Sequence, residues 1–261
     1  MKKKIEIEIQ KILNDKTSGS NDLLSTVHSL LLHNSENLSE LKLIVNRLKK
    51  DLPIFANIQN YLDDLERIIK KKNSVINFLQ GFNQTEKKVY DNIFSNAFTY
   101  LTRKKNILTI SNSKTVYEIL YRLNSVTKLS VFVCESRPKN EGRIFAKKLA
   151  SKKIRTQLIT EAQAANYLEK CDCVLTGADS ILKNGDVINK IGSLQLAVLC
   201  KYYGKPFYVI ADKLKFSSNN KFIQAEESVK EIWEAHSKKI RIENFYFERI
   251  PKSLISKVIT N

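Results

Sequence analysis

The spacing of apolar residues changes near residue 104, and this change limits the folds open to the chain. Before it, apolar residues recur every three or four positions, as at Leu23, Val27 and Leu30, which predicts amphipathic helices. After it, short β-rich runs ("NILTI", "LSVFVC", "RTQLIT", "CVLT", "PFYVIA") alternate with amphipathic stretches. Strands that alternate with helices predict a parallel sheet covered on both faces. We therefore predict an α/β chain, with an all-helical N-terminal domain (1–103) followed by a Rossmann-like parallel-sheet domain (104–261).

Turn signals divide the helical region. Breaks fall at "HNSEN", at Pro53 and at "QGFNQTEKK", where Ser35, Asn37 and Thr85 are candidate caps. The spacing from Leu38 to Leu52 also fits a coiled-coil seam, but two heptads are few, so we favour packing within the chain. In the second region the predicted helices span 114–124, 141–152, 161–169 and 190–203.

Composition excludes several classes of protein. No apolar run approaches the roughly 20 residues that cross a bilayer, and "MKKKIEIEIQ" lacks the apolar stretch of a signal peptide, so we expect a cytoplasmic protein without membrane contact. The four cysteines (Cys134, Cys171, Cys173 and Cys200) have apolar neighbours. Their single C-x-C pair has no second pair or nearby histidine, which favours buried thiols over zinc. We expect neither a metal nor a cofactor.

The positive charge is concentrated in the second region. The chain carries a net +17, and residues 1–100 hold 15 basic and 12 acidic side chains, so most of the excess lies beyond them. It is scattered through pairs such as Lys147-Lys148 and Lys238-Lys239, without a nucleic-acid-binding motif. This pattern predicts non-specific, salt-dependent attraction of RNA.

Four unusual segments follow predicted strands: "SNS", "ESRP", "TGADS" and "ADKLKF". Ligands of parallel α/β sheets lie beyond the carboxyl ends of the strands, so we expect these segments on one rim. Gly177 permits a tight turn that brings Asp179 to the end of its strand, either as a functional carboxylate or as a helix cap. Asn189 and Lys190 precede a predicted helix, whose N-terminal amides and the lysine would suit a phosphate.

Two further segments fit an anionic ligand. Arg137 before Pro138 is placed to grip phosphate or carboxylate, or alternatively to pair with Glu135 or Glu141. In "KTSGSNDLL", Gly19 lies between Ser18 and Ser20 ahead of a helix; their donors could hold an anion or simply cap the helix.

In combination, these segments resemble the translation initiation factor 2B alpha/beta/delta family, which includes ribose-1,5-bisphosphate isomerase and methylthioribose-1-phosphate isomerase. The resemblance runs from "KTSGSNDLL" through "ILTISNSKTV", "VFVCESRPKNEG" and "VLTGADSILKNGDVINKIGSLQLAVL" to "ENFYFERIPKSLISKVITN". It implies a sugar-phosphate pocket between a helical and a Rossmann-like domain, and assembly as a dimer or larger oligomer. It also implies a dimer surface in the last predicted helix and strand, with Trp233, Phe245 and Phe247 as anchors unless they are ordinary core.

The resemblance also implies roles for single residues. Asp179 occupies the isomerases' acid/base position, and Asn189 and Lys190 match the pair that holds the sugar phosphate. The other matching ligand-lining positions are Gly19, Ser113, Arg137 and Lys215, with Ser18 and Ser20 beside the glycine. Ser18 stands where the isomerases have an arginine.

One departure bears on catalysis. The isomerases have "THC" where this chain has "TIS", so Ser111 replaces their cysteine and Ile110 the preceding histidine. A serine hydroxyl is a much weaker acid than a thiol. We therefore expect a non-catalytic relative of the regulatory subunits, which binds a sugar phosphate or nucleotide and the alpha subunit of initiation factor 2.

Two alternatives remain. The first is an aldose–ketose isomerase of a sugar phosphate such as ribose 1,5-bisphosphate, with Asp179 as acid/base and Ser111 or water in place of the thiol. The second is a basic, RNA-associated scaffold.

Overall fold

The first part of the chain folds into helices. The computed structural model describes residues 3–15, 17–71, 74–234, 237 and 239–261. Within those residues, the helices that precede the first strand are α1 (Lys3–Asn14), α2 (Ser20–His33), α3 (Leu38–Asp51), α4 (Ala56–Lys70) and α5 (Val75–Leu101). None of the helices in the described ranges is both long and apolar enough to span a bilayer.

α3 shows how the apolar spacing is used. Leu41, Val45 and Leu48, the centre of the possible coiled-coil seam, are almost fully buried against apolar side chains of the neighbouring helices. Leu38, at its edge, is 50% exposed. Packing within the chain, the interpretation we favour, is confirmed.

The predicted caps have mixed outcomes. Asn37 caps α3 as predicted, because its side chain accepts a hydrogen bond from the Glu40 amide at 3.1 Å, whereas Ser35 lies in the turn before it. The predicted break at "QGFNQTEKK" is wrong, since α5 runs through it without interruption. There the Thr85 hydroxyl donates to the Gly81 carbonyl at 3.0 Å. Apolar residues continue at helical spacing on both sides, so packing overrides the local turn signal.

The second region contains a parallel sheet of six strands. Its strands are β1 (Asn106–Thr109), β2 (Ser130–Cys134), β3 (Arg155–Ile159), β4 (Cys173–Thr176), β7 (Phe207–Ile210) and β9 (Lys257–Ile259). They lie in the order β3-β2-β1-β4-β7-β9, and every neighbouring pair is parallel. The predicted parallel sheet is confirmed. The chain order reverses between β1 and β4, so a crevice opens beyond their carboxyl ends.

Helices cover both faces of this sheet. They are α6 (Lys114–Val126), α7 (Glu141–Ser151), α8 (Ala164–Leu168) and α9 (Ser193–Tyr202). One apolar core joins the sheet to α5, α6 and α7, and another joins it to α8 and α9. α5 ends at Leu101 and β1 begins at Asn106, but the division into domains at 103/104 stays a prediction.

A second, antiparallel sheet is absent from the sequence-based prediction. It contains β5 (Ser180–Ile181), β6 (Val187–Lys190) and β8 (Phe247–Ile250), in the order β5-β6-β8. The helix predicted over 190–203 therefore begins later, at Ser193, because Asn189 and Lys190 pair with Glu248 and Phe247 of β8.

The last predicted helix is not found in the described residues. Between 228 and 246 they contain only one short 3₁₀ turn, Val229–Glu231. Ala235, His236 and Lys238 of this segment lie outside the described residues. Trp233 is half exposed, and Phe245 and Phe247 are partly buried, so their predicted role at a dimer surface stays a prediction.

Two glycines in helices should respond to alanine in opposite ways. At Gly142, in the first turn of α7, a Cβ atom would lie 1.9 Å from the Cys134 carbonyl oxygen, whereas at Gly81, within α5, it would meet nothing within 4 Å. We expect Gly142→Ala to lower the free energy of unfolding by about 1–3 kcal/mol through overpacking. We expect Gly81→Ala to raise it by about 0.5–1 kcal/mol, since alanine is the better helix former. Urea denaturation followed by circular dichroism measures both, and a shift of the same sign in the two variants would contradict this account of α7.

Candidate functional site

A narrow pocket lies in the crevice where the strand order reverses. Its walls come from the loop before α2, the turn after β1, the turn after β4, and β6. Its lining residues are Gly19, Ser20, Asn21, Ile110, Ser111, Asn112, Ser113, Lys114, Thr115, Gly177, Ala178, Asp179, Asn189 and Lys215. The cavity volume is only about 30 Å³. This volume is well below the roughly 300–1,000 Å³ of a typical ligand pocket.

The turn after β1 forms one wall. Ser111 adopts a left-handed conformation (φ 72°), and its amide donates to the Ser136 hydroxyl at 2.8 Å. Ser113 caps α6, because its hydroxyl accepts from the Val116 amide at 3.3 Å. Both residues line the pocket, as the sequence predicts for the "SNS" segment.

Two glycines let the walls approach each other. A Cβ atom on Gly19 would lie 2.6 Å from the Asn112 carbonyl oxygen. One on Gly177 would lie 2.5 Å from the Ser113 hydroxyl oxygen. Glycine at these positions permits the start of α2 and the turn after β4 to pack directly against the turn after β1.

A carboxylate, a hydroxyl and an ammonium group meet inside the pocket. The Ser20 hydroxyl donates to Asp179 Oδ1 at 2.5 Å, and Lys215 Nζ in turn donates to the Ser20 hydroxyl oxygen. Lys215 is almost completely buried, whereas Asp179 keeps part of its surface open to the pocket. The three residues come from three distant parts of the chain.

Burial sets the titration of this cluster. It raises the pKa of the Asp179 carboxyl, and the Lys215 ammonium and the Ser20 hydroxyl oppose that shift. Burial also lowers the pKa of Lys215, and the Asp179 and Asp212 carboxylates oppose it. The pKa values of Asp179 and Lys215 are thus both shifted towards neutral pH, where a group transfers protons most efficiently.

A network of amide side chains fixes Ser20 at the start of α2. Asn21 Nδ2 donates to Asp212 Oδ2 at 3.0 Å and to Thr115 Oγ1 at 3.1 Å. Asn57 Nδ2 donates to the Ser20 carbonyl at 2.8 Å and to Asn21 Oδ1 at 2.9 Å. The helical region thus contributes directly to the pocket.

Asn189 and Lys190 point to different environments. Asn189 lines the pocket, and its Nδ2 donates to the Thr176 and Ser193 hydroxyls at 2.7 and 2.9 Å. Lys190 lies outside the lining and forms an ion pair with Glu141 Oε1 at 2.8 Å, with both side chains almost fully buried. Burial raises the pKa of Glu141, and Lys190 opposes the shift.

Glu141 is not predicted from the sequence to be a site residue; it is predicted only as a possible ion-pair partner of Arg137. Its Oε2 is buried without a partner among the described residues. An acidic residue in the first turn of a helix is usually explained by its interaction with the helix dipole. The local sequence therefore gives no sign of the contact between Glu141 and Lys190, which is 49 positions away.

The predicted phosphate corner at α9 requires a correction. The Leu194 amide at the N-terminus of α9 donates to Glu248 Oε1 at 2.8 Å, and the Gly192 and Ser193 amides also bond this carboxylate. A carboxylate of β8 therefore already occupies the position predicted for phosphate.

Two predicted ligand residues lie away from the pocket lining. Arg137 is exposed, and its guanidinium donates to the Ile232 carbonyl at 3.4 Å. The alternative ion pairs are taken, since Glu135 bonds Arg143 at 2.7 Å and Glu141 bonds Lys190. The Ser18 amide donates to Asp15 Oδ1 at 2.9 Å.

The pocket thus gathers Gly19, Ser20, Ser111, Ser113, Asp179, Asn189 and Lys215. It leaves Ser18, Arg137 and Lys190 outside. Whether any of these residues binds a ligand stays a prediction.

The four cysteines lie outside this site. Each is a free, buried thiol, as predicted, and burial raises the pKa of Cys134, Cys171 and Cys200 to about 12. The described residues contain no group of three or more potential metal ligands.

The sequence of this chain matches a known protein family over nearly its whole length. The model of the initiation factor 2 subunit family matches residues 6–261. This chain belongs to that family. The family resemblance predicted from the motifs is confirmed.

Two curated members of the family are similar to this chain over about three quarters of its length. One is methylthioribose-1-phosphate isomerase of Caenorhabditis briggsae, 29% identical over 226 residues, which cover 77% of this chain and 61% of that protein. The other is ribose 1,5-bisphosphate isomerase of Methanocaldococcus jannaschii, 30% identical over 201 residues, which cover 75% and 63%. The chain therefore spans somewhat less than two thirds of the length of these relatives.

Solved structures in the family share the fold. The translation initiation factor eIF-2B of Pyrococcus horikoshii OT3 has a TM-score of 0.85 at 22% identity, covering 100% of this chain and 96% of that one. The tetrameric eIF2B-beta2-delta2 complex from C. thermophilum has a TM-score of 0.72 at 19% identity, covering 98% and 88%. The second of these relatives is an oligomer by its name.

The relatives correct the expected function. We expected a non-catalytic subunit that acts through initiation factor 2, but members matching most of this chain are named isomerases. Both that expectation and the expectation that the chain is not an enzyme are therefore wrong, and the alternative is favoured. The physical reason is that one lost thiol leaves the buried carboxyl of Asp179 and its partners in place.

The coupling between Lys215 and Asp179 can be measured without any ligand. Replacing Lys215 with methionine should raise the pKa of Asp179 further, because the ammonium is the strongest of the groups that oppose the effect of burial. Lys213→Met, an exposed change in the same 3₁₀ turn, is the matched control. A titration of the aspartate carboxyl ¹³C signals by NMR reports the pKa, and a value that is unchanged or lower in Lys215→Met would contradict the proposed coupling.

Proposed function

We propose that this chain is an aldose–ketose isomerase of a sugar phosphate, in the class of ribose 1-phosphate compounds that the names of its relatives specify. The observation that carries the proposal is the Ser20–Asp179–Lys215 cluster in the crevice between β1 and β4. Ligands of such sheets bind at this place. The isomerase names of the relatives support the same reaction class.

The reaction needs a group that can both accept and donate protons. For an aldose phosphorylated at carbon 1, the bond from carbon 1 to the ring oxygen breaks, and that oxygen gains a proton. Carbon 2 and its hydroxyl each lose a hydrogen, and carbon 1 gains one, which leaves a ketone at carbon 2. The product is an isomer of the substrate, so no external oxidant or reductant is required.

Asp179 suits this exchange. Its pKa is raised by burial, which makes its carboxylate a stronger base than an exposed aspartate. The Ser20 hydroxyl, itself held by Lys215, donates to one of its oxygens and fixes its orientation. We assign Asp179 the acid/base role, and Ser111, at the position of the relatives' cysteine, the second proton-transfer position.

The remaining pocket residues suit the phosphorylated sugar. Gly19 and Ser113 offer backbone and hydroxyl donors. Both Nδ2 hydrogens of Asn189 are taken by Thr176 and Ser193, so this residue can offer a sugar hydroxyl its carbonyl oxygen as an acceptor. Lys190 could contribute its charge once the walls separate, because it already lies close enough to stabilise ionised Asp179. Assembly as a dimer or larger oligomer stays a prediction alongside this one.

Asp179 should be essential for turnover. The full chain is incubated with ribose 1,5-bisphosphate and, separately, with methylthioribose 1-phosphate, and the ketose product is followed by NMR. Asp179→Asn should lower kcat by about 10²- to 10⁴-fold, the usual loss when one proton-transfer group is removed. Asp91→Asn, which changes an exposed aspartate of α5, is the control. No turnover of either compound by the wild type, or equal rates in Asp179→Asn, would overturn the proposal.

The position of Ser111 makes a separate prediction. Ser111→Cys should raise kcat by about 10-fold or more, because a thiol of pKa near 8.5 exchanges protons more readily than a hydroxyl. Ser113→Cys, on the same turn, should not, because Ser113 caps α6. Equal effects of the two changes would rule out the second proton-transfer role at position 111.

A further inference from the structure

A second and roomier cavity lies on the other side of Asn21 from the candidate site. It has a volume of about 460 Å³ and is lined by residues of α2, α4, α5, the segment 212–214 and Asn261. Pockets of this size hold small organic ligands. We propose that this cavity binds a small aromatic cation, and that its occupancy alters the Ser20–Asp179–Lys215 cluster. This inference goes beyond the isomerase proposal and does not depend on it.

Aromatic side chains form the walls. Tyr61 stacks on Phe78 with ring centroids 5.4 Å apart, and its ring meets Phe82 edge-on at 5.2 Å. His28 stacks behind Phe82 at 4.3 Å, and burial lowers its pKa, which disfavours a positive charge on this wall. Tyr90 continues the aromatic lining along α5. Such faces favour planar ligands and, through their ring electrons, cations.

Carboxylates supply the polar part of the lining. Asp64, Glu86 and Asp212 line the cavity, against a single ammonium, Lys213, among its described lining residues. Asp64 Oδ1 pairs with Arg67 at 2.9 Å and Glu86 Oε1 with Lys114 at 2.7 Å.

Each of these two carboxylates keeps an oxygen for a ligand. Arg67 contacts Asp64 through Oδ1, and both Lys114 and the Tyr90 hydroxyl donate to Oε1 of Glu86, which leaves Asp64 Oδ2 and Glu86 Oε2 outside these contacts. Carboxylate oxygens accept hydrogen bonds and donate none, so the ligand must present donors. In a chain of net charge +17, an aromatic cavity lined by three carboxylates selects against anions and favours a cation.

Asn21 connects this cavity to the candidate site, because it lines both. It bonds Asp212, whose Oδ1 accepts from the Leu214 amide at 2.9 Å and so fixes the turn that carries Lys215. Ser20, the residue before Asn21, bonds both Lys215 and Asp179. A ligand that contacts Asn21 or Asp212 therefore acts on both sides of the Ser20–Lys215 hydrogen bond.

The test uses three probes of one shape and different charge: benzamidine, benzamide and benzoate. Each is titrated into the full chain without substrate, and binding is followed by the amide NMR signals and by calorimetry. For a ligand of this size we expect benzamidine to bind with a dissociation constant of about 1 mM. Benzoate should bind at least about 10-fold more weakly, because its carboxylate faces other carboxylates. The amide signals of Ser20 and Lys215 should shift as benzamidine binds.

Gly81 is a position in the cavity lining where a larger side chain can be introduced. It lines the cavity within α5, and a Cβ atom there meets nothing within 4 Å. Gly81→Leu should weaken benzamidine binding by about 10-fold or more, while the thermal midpoint stays the same or rises. Asn92→Leu adds the same side chain at an exposed position of α5 outside the cavity, and should bind benzamidine like the wild type.

Several outcomes would overturn the proposal. They are the absence of benzamidine binding up to about 10 mM, equal binding of benzamidine and benzoate, and full binding by Gly81→Leu. Binding without any shift of the Ser20 and Lys215 signals would refute the connection to the candidate site. Because no sugar phosphate is present, a failure here is distinguishable from a failure of the isomerase proposal.

Discussion

The reversal of strand order between β1 and β4 is the constraint on which the candidate site depends. Neighbouring strands whose connections leave in opposite directions cannot close the space beyond their ends. The turns that follow these strands carry Ser111, Ser113 and Asp179 to that space. Gly19 lets the start of α2 cover it, so the helical region completes a pocket that the sheet begins.

Buried charge is the second theme of the structure. Asp179 with Lys215, and Glu141 with Lys190, form two pairs of opposite charges that are largely shielded from solvent. Such pairs contribute little net stability, because desolvation offsets much of their attraction. Only the Asp179–Lys215 pair lines the pocket, and its small contribution to stability is consistent with the acid/base role proposed for Asp179.

Much of the fold could be predicted from the sequence, because burial dictates the apolar spacing of helices and parallel strands. "NILTI" and "CVLT" became strands as expected, and their rim segments met. β5 and β6 could not be predicted, since they are short and their partner β8 lies some 60 residues further along the chain. For the same reason, the contact of Glu248 with the start of α9, 54 positions earlier in the chain, could not be predicted. No local pattern links Ser20 to Lys215 either. The expected function was wrong because the replacement of the isomerases' cysteine by Ser111 was given more weight than the presence of the Asp179 carboxyl.

The 27-residue helix α5 has a mechanical consequence for the narrow pocket. At 1.5 Å per residue it is a rod of about 40 Å. Its first turns, with Val75 and Leu79, are embedded in the helical core, and its last turns, with Ile93 and Leu101, are embedded against the sheet. The helical core and the sheet therefore both pack against the same continuous helix. If the crevice widens to admit the proposed sugar phosphate, we expect either a bend in α5 or a rotation of one half of the molecule about the end of α5 that is packed in the other half.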